Sequence, residues 1–343
     1  MADGALELGS PAEPGLITCK TENLSRAVLR VSRLLLFSMV VTNTPKWTRI
    51  LKQIGGLLAT IFLLAVLSVL LDYHHLLRAI TIPEMTVSVL GAALGILLAF
   101  RTNSAYARWW EARILWGALV NSSRSLAREA LSFPRRSGSS VLQEASTMCT
   151  KCLIYDQIAF VHAMRLALRK QPVLDGIRPF ISEEEAGELQ DQQNIPAALL
   201  LKMGRVVSTA VDQHVLSELN QHRMDQTLSD LSNILGGCER IKNTPLPRQY
   251  DVYPELLIKI YCVLLPFIIV DEVGILTPLV TVIVGFAFLV LNRIGKNLED
   301  PFENTVYDVP LTALSKTIEI NLRQALGETQ LPTPEPLVDG VLM

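Results

Sequence analysis

Ile54 to Leu71 (IGGLLATIFLLAVLSVLL) is a run of eighteen residues without a charged side chain. A bilayer core of about 30 Å takes about 20 apolar residues of helix, so this run predicts a membrane-spanning helix by length alone. Met85 to Phe100 adds sixteen uncharged residues. At a rise of roughly 1.5 Å per residue these give about 24 Å, short for a bilayer but sufficient for a helix held inside a protein bundle. Further on, Ile260–Val270 and Ile275–Leu291 are separated by Asp271, Glu272 and Gly274, and the first reaches useful length only by extending back past Lys259.

Charge placement decides the topology. Lys46, Arg49 and Lys52 precede the first span, Arg101, Arg108 and Arg113 follow the second, and Arg293 and Lys296 follow the fourth. The loop at 72–84 has only Arg78, and the loop at 271–274 has no basic residue. By the positive-inside rule both loops face outward and both termini face the cytosol. Two transmembrane hairpins satisfy this arrangement.

The whole chain has 343 residues, 50% hydrophobic and 19% charged, with a mean hydropathy of +0.33. Apolar residues are therefore concentrated, as in a membrane protein with a large water-exposed part. A net charge of -2 leaves no basic footprint for nucleic acid. Five scattered cysteines form no disulfide framework and suit a reducing compartment. Residues 1–20 resemble neither a secretory signal nor an Arg-rich transit peptide, and 1–30 is expected to be a disordered tail. Residues 31–102 hold the N-terminal segment and first hairpin, 103–251 a cytosolic helical domain, and 252–292 the second hairpin. A cytosolic helical segment, 293–328, and a disordered tail, 329–343, follow. In 103–251 the stretch Leu200–Leu235 repeats apolar positions every three or four residues. The expected fold is an all-α membrane protein, with four transmembrane helices in two hairpins plus the cytosolic domain.

Two stripes run along the second span. Gly91, Gly95 and Ala99 lie four apart and offer close helix contact. Ala92, Ile96 and Phe100 form a neighbouring stripe, able to line an apolar constriction that gates ions by dewetting. Ordinary packing of a buried helix accounts for either. Beyond them, LGILLAFRTNSAYARWWEARILWG (94–117) turns charged and aromatic without a proline, and Trp109 and Trp110 fall where an interfacial belt would sit. Arg108 and Glu111 are three apart and can meet on one helix face, whereas Arg113 is badly placed for Glu111.

Other motifs have bland readings beside chemical ones. In GGCERIKNTPLPRQY (236–250) the glycines punctuate a helix, and Pro245 and Pro247 force a turn before the chain re-enters the membrane. In LEDPFENTVYDVPL (298–311), Glu299, Asp300, Glu303 and Asp308 are oxygen ligands suited to calcium, but without EF-hand spacing, and capping or intersubunit contacts compete. Cys149 and Cys152 form a CxxC within a periodic helix, with no second pair for zinc. His74 and His75 sit in the outer loop as conceivable pH sensors. The sequence has no Walker motif, GxSxG or HExxH. No enzyme, metal or cofactor is expected.

Taken together, FRTNSAYARWWEARILWG (100–117), GGCERIKNTPLP (236–247), LLPFIIVDEVGILTPLV (264–280) and NLEDPFENTVYDVPL (297–311) resemble the bestrophin family, specifically its bacterial and plastid branch. The likeness runs in order from about residue 40 to 326. It implies a homopentameric channel with one central pore lined by the second transmembrane helix. The family's apolar neck matches Ala92, Ile96 and Phe100, with Ala92 smaller than the usual residue at the outermost position. A cytosolic constriction is expected within VDQHVLSELNQH (211–222), at Leu216 or His222. The motif residues Arg101, Asn103, Arg108, Glu111, Glu239, Arg240, Pro245, Pro247, Glu299, Asp300 and Pro301 are expected to hold the structure. Animal members bind calcium through a dense acidic cluster; here proline and phenylalanine interrupt the acids, Glu303 and Tyr307 replace residues more usual in the bacterial branch, and no calcium activation is expected.

The resemblance implies passive conduction of small anions, chloride first, across a lipid bilayer, with a monovalent cation channel of the same fold as the alternative. The bacterial inner membrane is the expected site, an organellar membrane such as the thylakoid the other. Two readings from other classes remain: a membrane oxidoreductase using Cys149, Cys152 and the paired histidines, and a structural scaffold without ion flux.

Overall fold

The computed structural model describes residues 47–74, 83–134 and 140–336, with the side chains of 47–50 and Glu84 set aside. The expected tail at 1–30, Arg78 and His75 lie outside the described residues. All described elements are helical: α1 (Trp47–Tyr73), α2 (Glu84–Ser132), α3 (Ser140–Leu168), α4 (Val173–Ile177), α5 (Glu183–Gln190), α6 (Ile195–Asp212), α7 (Glu218–Asn243), α8 (Arg248–Val273), α9 (Thr277–Glu299) and α10 (Leu311–Ala325). Short 3-10 turns at Arg178–Phe180 and Gly274–Leu276 follow α4 and α8.

Three stretches are long and apolar enough to cross a membrane: Leu51–Tyr73, the first part of Met85–Ser132, and Glu218–Glu299. The last holds α7, a turn at residues 244–247 and then α8 and α9, which are divided at Gly274, whose φ of 58° ends α8. Thr277 then donates from Oγ1 to the Gly274 carbonyl at 2.6 Å as α9 begins. The helix containing Ile260–Val270 starts at Arg248, so it reaches 26 residues despite Pro254 and Pro266 within it. Both spans that looked short in hydropathy belong to longer helices. Their polar ends continue past the apolar stretch.

α1, the start of α2, α8 and α9 pack around Ile54, Ile61, Leu94, Leu98, Tyr261 and Leu289. Small residues permit the approach. A methyl group added at Gly91 would meet the Tyr261 hydroxyl at 2.9 Å, and one at Gly285 would meet Ile61 Cδ1 at 3.2 Å. Outward-facing Phe62, Leu63, Leu67, Leu279 and Ile283 are exposed, as helices solvated by lipid require.

The rest of α2 continues into a second bundle with α3, α6, α7 and α10, centred on Trp116, Leu126, Ile158, Met203, Leu231 and Ile318. Capping defines its shorter helices. Ser182 and Glu185 form a capping box on α5, Asn194 accepts from the Ala197 amide on α6, and Ser217 accepts from the Asn220 amide on α7. Each side-chain oxygen answers an amide that the first helical turn leaves unpaired. After α10 the chain runs without helix to residue 336, and Glu328 near its start accepts from Tyr155 at 2.6 Å.

Candidate functional site

α2 is one helix of 49 residues, and from Leu94 onward its two faces differ. Leu94, Leu98, Arg101, Ala105, Ala112 and Trp116 are buried against the other helices. On the opposite face Ala92, Ile96, Phe100, Asn103 and Ala107 are exposed. Both series advance at the helical period of about 3.6 residues, so each is a straight line on the helix surface. Ile96 is 60% and Phe100 63% exposed, as open as Leu63 and Leu279, so within one protomer this face of α2 is uncovered. The small-residue stripe does not act as a unit within the protomer. Gly91 meets Tyr261, Gly95 has open space around it, and Ala99 is exposed.

Where the apolar half of α2 ends, Arg101 is 1% exposed. Its guanidinium donates to Asn292 Oδ1 of α9, to Asp251 Oδ1 of α8 at 2.6 Å, and lies 3.5 Å from Glu299 Oε2. Lys296 bridges Asp251 at 3.7 Å and also pairs with Glu255. A buried cation is tolerable only when paired and hydrogen-bonded; this network meets that condition and ties three helices together. It also explains the absence of a break: the charge at the apolar boundary points sideways into the bundle.

The expected Arg108–Glu111 pair is corrected. Arg108 donates to backbone carbonyls of Ile241 and Thr244, both at 2.6 Å, and of Glu299 at 3.1 Å. It thus closes the C-terminal ends of α7 and α9, where carbonyls lack helical donors and positive charge is favoured. Glu111 pairs instead with Arg240 of α7. Trp109 donates from Nε1 to the Tyr307 carbonyl at 3.0 Å, and Tyr106 stacks on Trp109 and Trp110. Glu239 accepts from Asn194 at 2.7 Å, and Pro247 stands as the N-cap residue of α8 after the turn holding Pro245.

The acidic run disperses among separate donors. Asp300 accepts from Lys242 at 2.6 Å and from the Phe302 amide at 3.1 Å. The Pro301 carbonyl accepts from the Val309 amide at 3.1 Å. Asp308 accepts from the Thr305 amide and hydroxyl, with burial pushing its carboxyl above the usual range. Among the described residues no group of His, Cys, Asp and Glu is placed to hold a metal ion. Cys149 is buried, and burial pushes its thiol up to about 11, which withholds the thiolate a redox centre would use.

The Leu216 assignment is also corrected. Leu216 is 2% exposed, and its amide donates to the Ala210 carbonyl at 3.0 Å as part of the turn closing α6. A side chain sealed inside its own protomer cannot narrow a water-filled passage. On the same segment His222 is exposed, and Leu219, in the first turn of α7, is 72% exposed. Helical periodicity alone left the register of this turn open. Equally invisible in sequence were Asn292 and Asp251, since neither lies in a motif that pairs it with Arg101.

Comparison with known proteins agrees with this architecture. Residues 30–324 match the family described as Bacterial/Fungal Bestrophin protein. The voltage-dependent anion channel-forming protein YneE of Escherichia coli (strain K12) is 33% identical over 304 residues, covering 86% of this chain and 96% of that protein. The voltage-dependent anion channel-forming protein RSc3414 of Ralstonia nicotianae is 32% identical over 301 residues, covering 85% and 96%. A solved bacterial bestrophin homologue from Klebsiella pneumoniae superposes with a TM-score of 0.74 at 28% identity, covering 80% of this chain and 100% of that one. With its membrane-length helices and this match across most of its sequence, the chain is an integral membrane protein and belongs to the bestrophin family.

Proposed function

We propose that five copies of this chain assemble around α2 and conduct small anions, chloride foremost, passively through a central pore. The observation that carries this reading is the uncovered line of α2, where Ile96 and Phe100 stay exposed in a protomer whose other α2 face is closed. The anion-channel names of the relatives from Escherichia coli and Ralstonia supply the class of ion. Ala92, Ile96 and Phe100 form the neck, and its apolar rings make permeation depend on partial dehydration. Weakly hydrated anions therefore pass more readily than strongly hydrated ones. Leu219 and His222 narrow the cytosolic end, and conduction needs no calcium. In this reading the second bundle and both ends of the chain lie on the inner side of the cell membrane, and the basic residues flanking the spans support that orientation.

Reversal potentials of purified protein in planar bilayers under a potassium chloride gradient test the reading. A shift toward the chloride equilibrium potential is expected; a shift toward potassium makes the protein a cation channel of the same fold. Ile96→Ala with Phe100→Ala widens the neck and raises conductance severalfold, and an unaltered conductance removes the neck assignment. Currents of the wild-type protein persist in calcium chelator.

A further inference from the structure

The uncovered line of α2 continues beyond the neck into the cytosolic half of the helix, through Trp110, Ile114 and Asn121 to Arg128, all exposed and at helical spacing. Every position on it before Arg128 is neutral, so Arg128 is the one charged side chain on this line among the described residues. The nearby exposed Arg124 turns aside, donating from Nη2 to Asn321 Oδ1 of α10 at 3.4 Å.

The immediate surroundings leave the Arg128 charge facing water. Its side chain is 63% exposed and donates from Nη2 to Glu129 Oε1 at 3.0 Å, but that carboxylate is buried. Glu129 Oε2 is taken by the Thr227 hydroxyl of α7 at 2.9 Å, and Arg223 of α7 adds a second cation acting on the same carboxylate. The negative partner is drawn into the core while the guanidinium stays outside. Asn220 donates to the Phe133 carbonyl at 3.4 Å, which fixes the start of α7, and with it Leu219, beside the end of α2.

We propose that Arg128, repeated around the assembly, forms a ring of positive charge at the cytosolic mouth that concentrates small monovalent anions ahead of the neutral neck. This rests on the pore reading above. Like charges set in a narrow vestibule with low-dielectric walls focus the field and raise the local concentration of counter-ions. The neck then selects by ease of dehydration, and the ring by sign of charge.

The test compares wild-type protein with Arg128→Gln, Arg128→Lys and Arg128→Glu in planar bilayers with potassium chloride. At about 0.01 M salt, where the Debye length is roughly 30 Å, and again at about 1 M, where it is roughly 3 Å, conductance is measured for each. At low salt the Gln variant is expected to conduct about three- to tenfold less chloride than wild type, the Lys variant equally, and at high salt all coincide. The Glu variant shifts the reversal potential toward potassium. As a control on folding, a conducting Arg128→Cys channel is treated from the cytosolic side with cationic or anionic thiol reagents, wild type in parallel giving the native-cysteine background. Recovery by the cationic label and further loss by the anionic one support the ring. Gln and Glu variants that match wild type at low salt, or opposite labels with the same effect, overturn it. If wild-type protein carries no current, the pore reading itself has failed; if it conducts and the variants do not differ, only the ring has.

Discussion

Within hydrogen-bonding reach of the Arg101 guanidinium lie side chains from α8 and α9, Asp251 at 2.6 Å and Glu299 at 3.5 Å. Replacing the cation by a shorter neutral amide, as in Arg101→Gln, takes from Asp251 and Glu299 the guanidinium they share. Breaking a buried pair costs about 3–5 kcal/mol; because Asp251 is partly open to solvent, the lower end, about 3 kcal/mol, is expected. Thermal unfolding of the detergent-solubilised variant checks this, and a melting curve superposable on that of the wild type would falsify the clamp. Sequence placed Arg101 at the membrane boundary because the apolar run ends there. It could not name Asp251 and Asn292, since a lone Asp and a lone Asn far along the chain carry no pairing signal. Arg108 shows the same limit in reverse: spacing suggested Glu111, while the unpaired carbonyls of two distant helix ends offered more hydrogen bonds than one exposed carboxylate.

At the scale of helices, periodicity was informative about faces and weak about neighbours. It separated the 91/95/99 stripe from the 92/96/100 stripe, but only packing distinguishes Gly91, pressed against Tyr261, from Gly95, with nothing within 4 Å. This predicts unequal costs. Gly91→Val displaces the Tyr261 ring and destabilises the membrane bundle by about 1–3 kcal/mol, whereas Gly95→Ala leaves the fold of a protomer intact. Urea or thermal unfolding of the two variants side by side reads the difference; equal losses would mean that the contact at Gly91 has no special weight. Leu216 failed for a related reason. The turn after α6 interrupts the helical repeat, so spacing carried across it does not distinguish buried Leu216 from exposed Leu219.

For the whole molecule, the two bundles share α2, and pH acts on the second of them through His162. This histidine, buried on α3, sits 3.1 Å from Glu319 Oε2 of α10 and stacks on Phe180. Burial pushes its pKa below the ordinary 6.5, outweighing the hydrogen bond to Glu319, and Arg165 and Lys316 push the same way. The folded state therefore binds fewer protons than the unfolded one just below pH 6.5. Stability from this residue is complete above that pH and is lost as pH falls through the window toward the depressed value. Melting temperature should decline on acidification below about pH 6.5, and His162→Gln should flatten that segment of the profile; a variant keeping the wild-type slope assigns the decline to other groups.

The unbroken run of α2 across the membrane boundary has a mechanical consequence. Its 49 residues make a shaft of about 73 Å at helical rise, with no proline after Pro83 and no flexible joint where lipid gives way to water. Such a shaft transmits torque. A rotation imposed where α7 and α10 pack against its far end is carried to Ile96 and Phe100 without a joint to absorb it, so a movement of the second bundle reaches the membrane-length half of the helix.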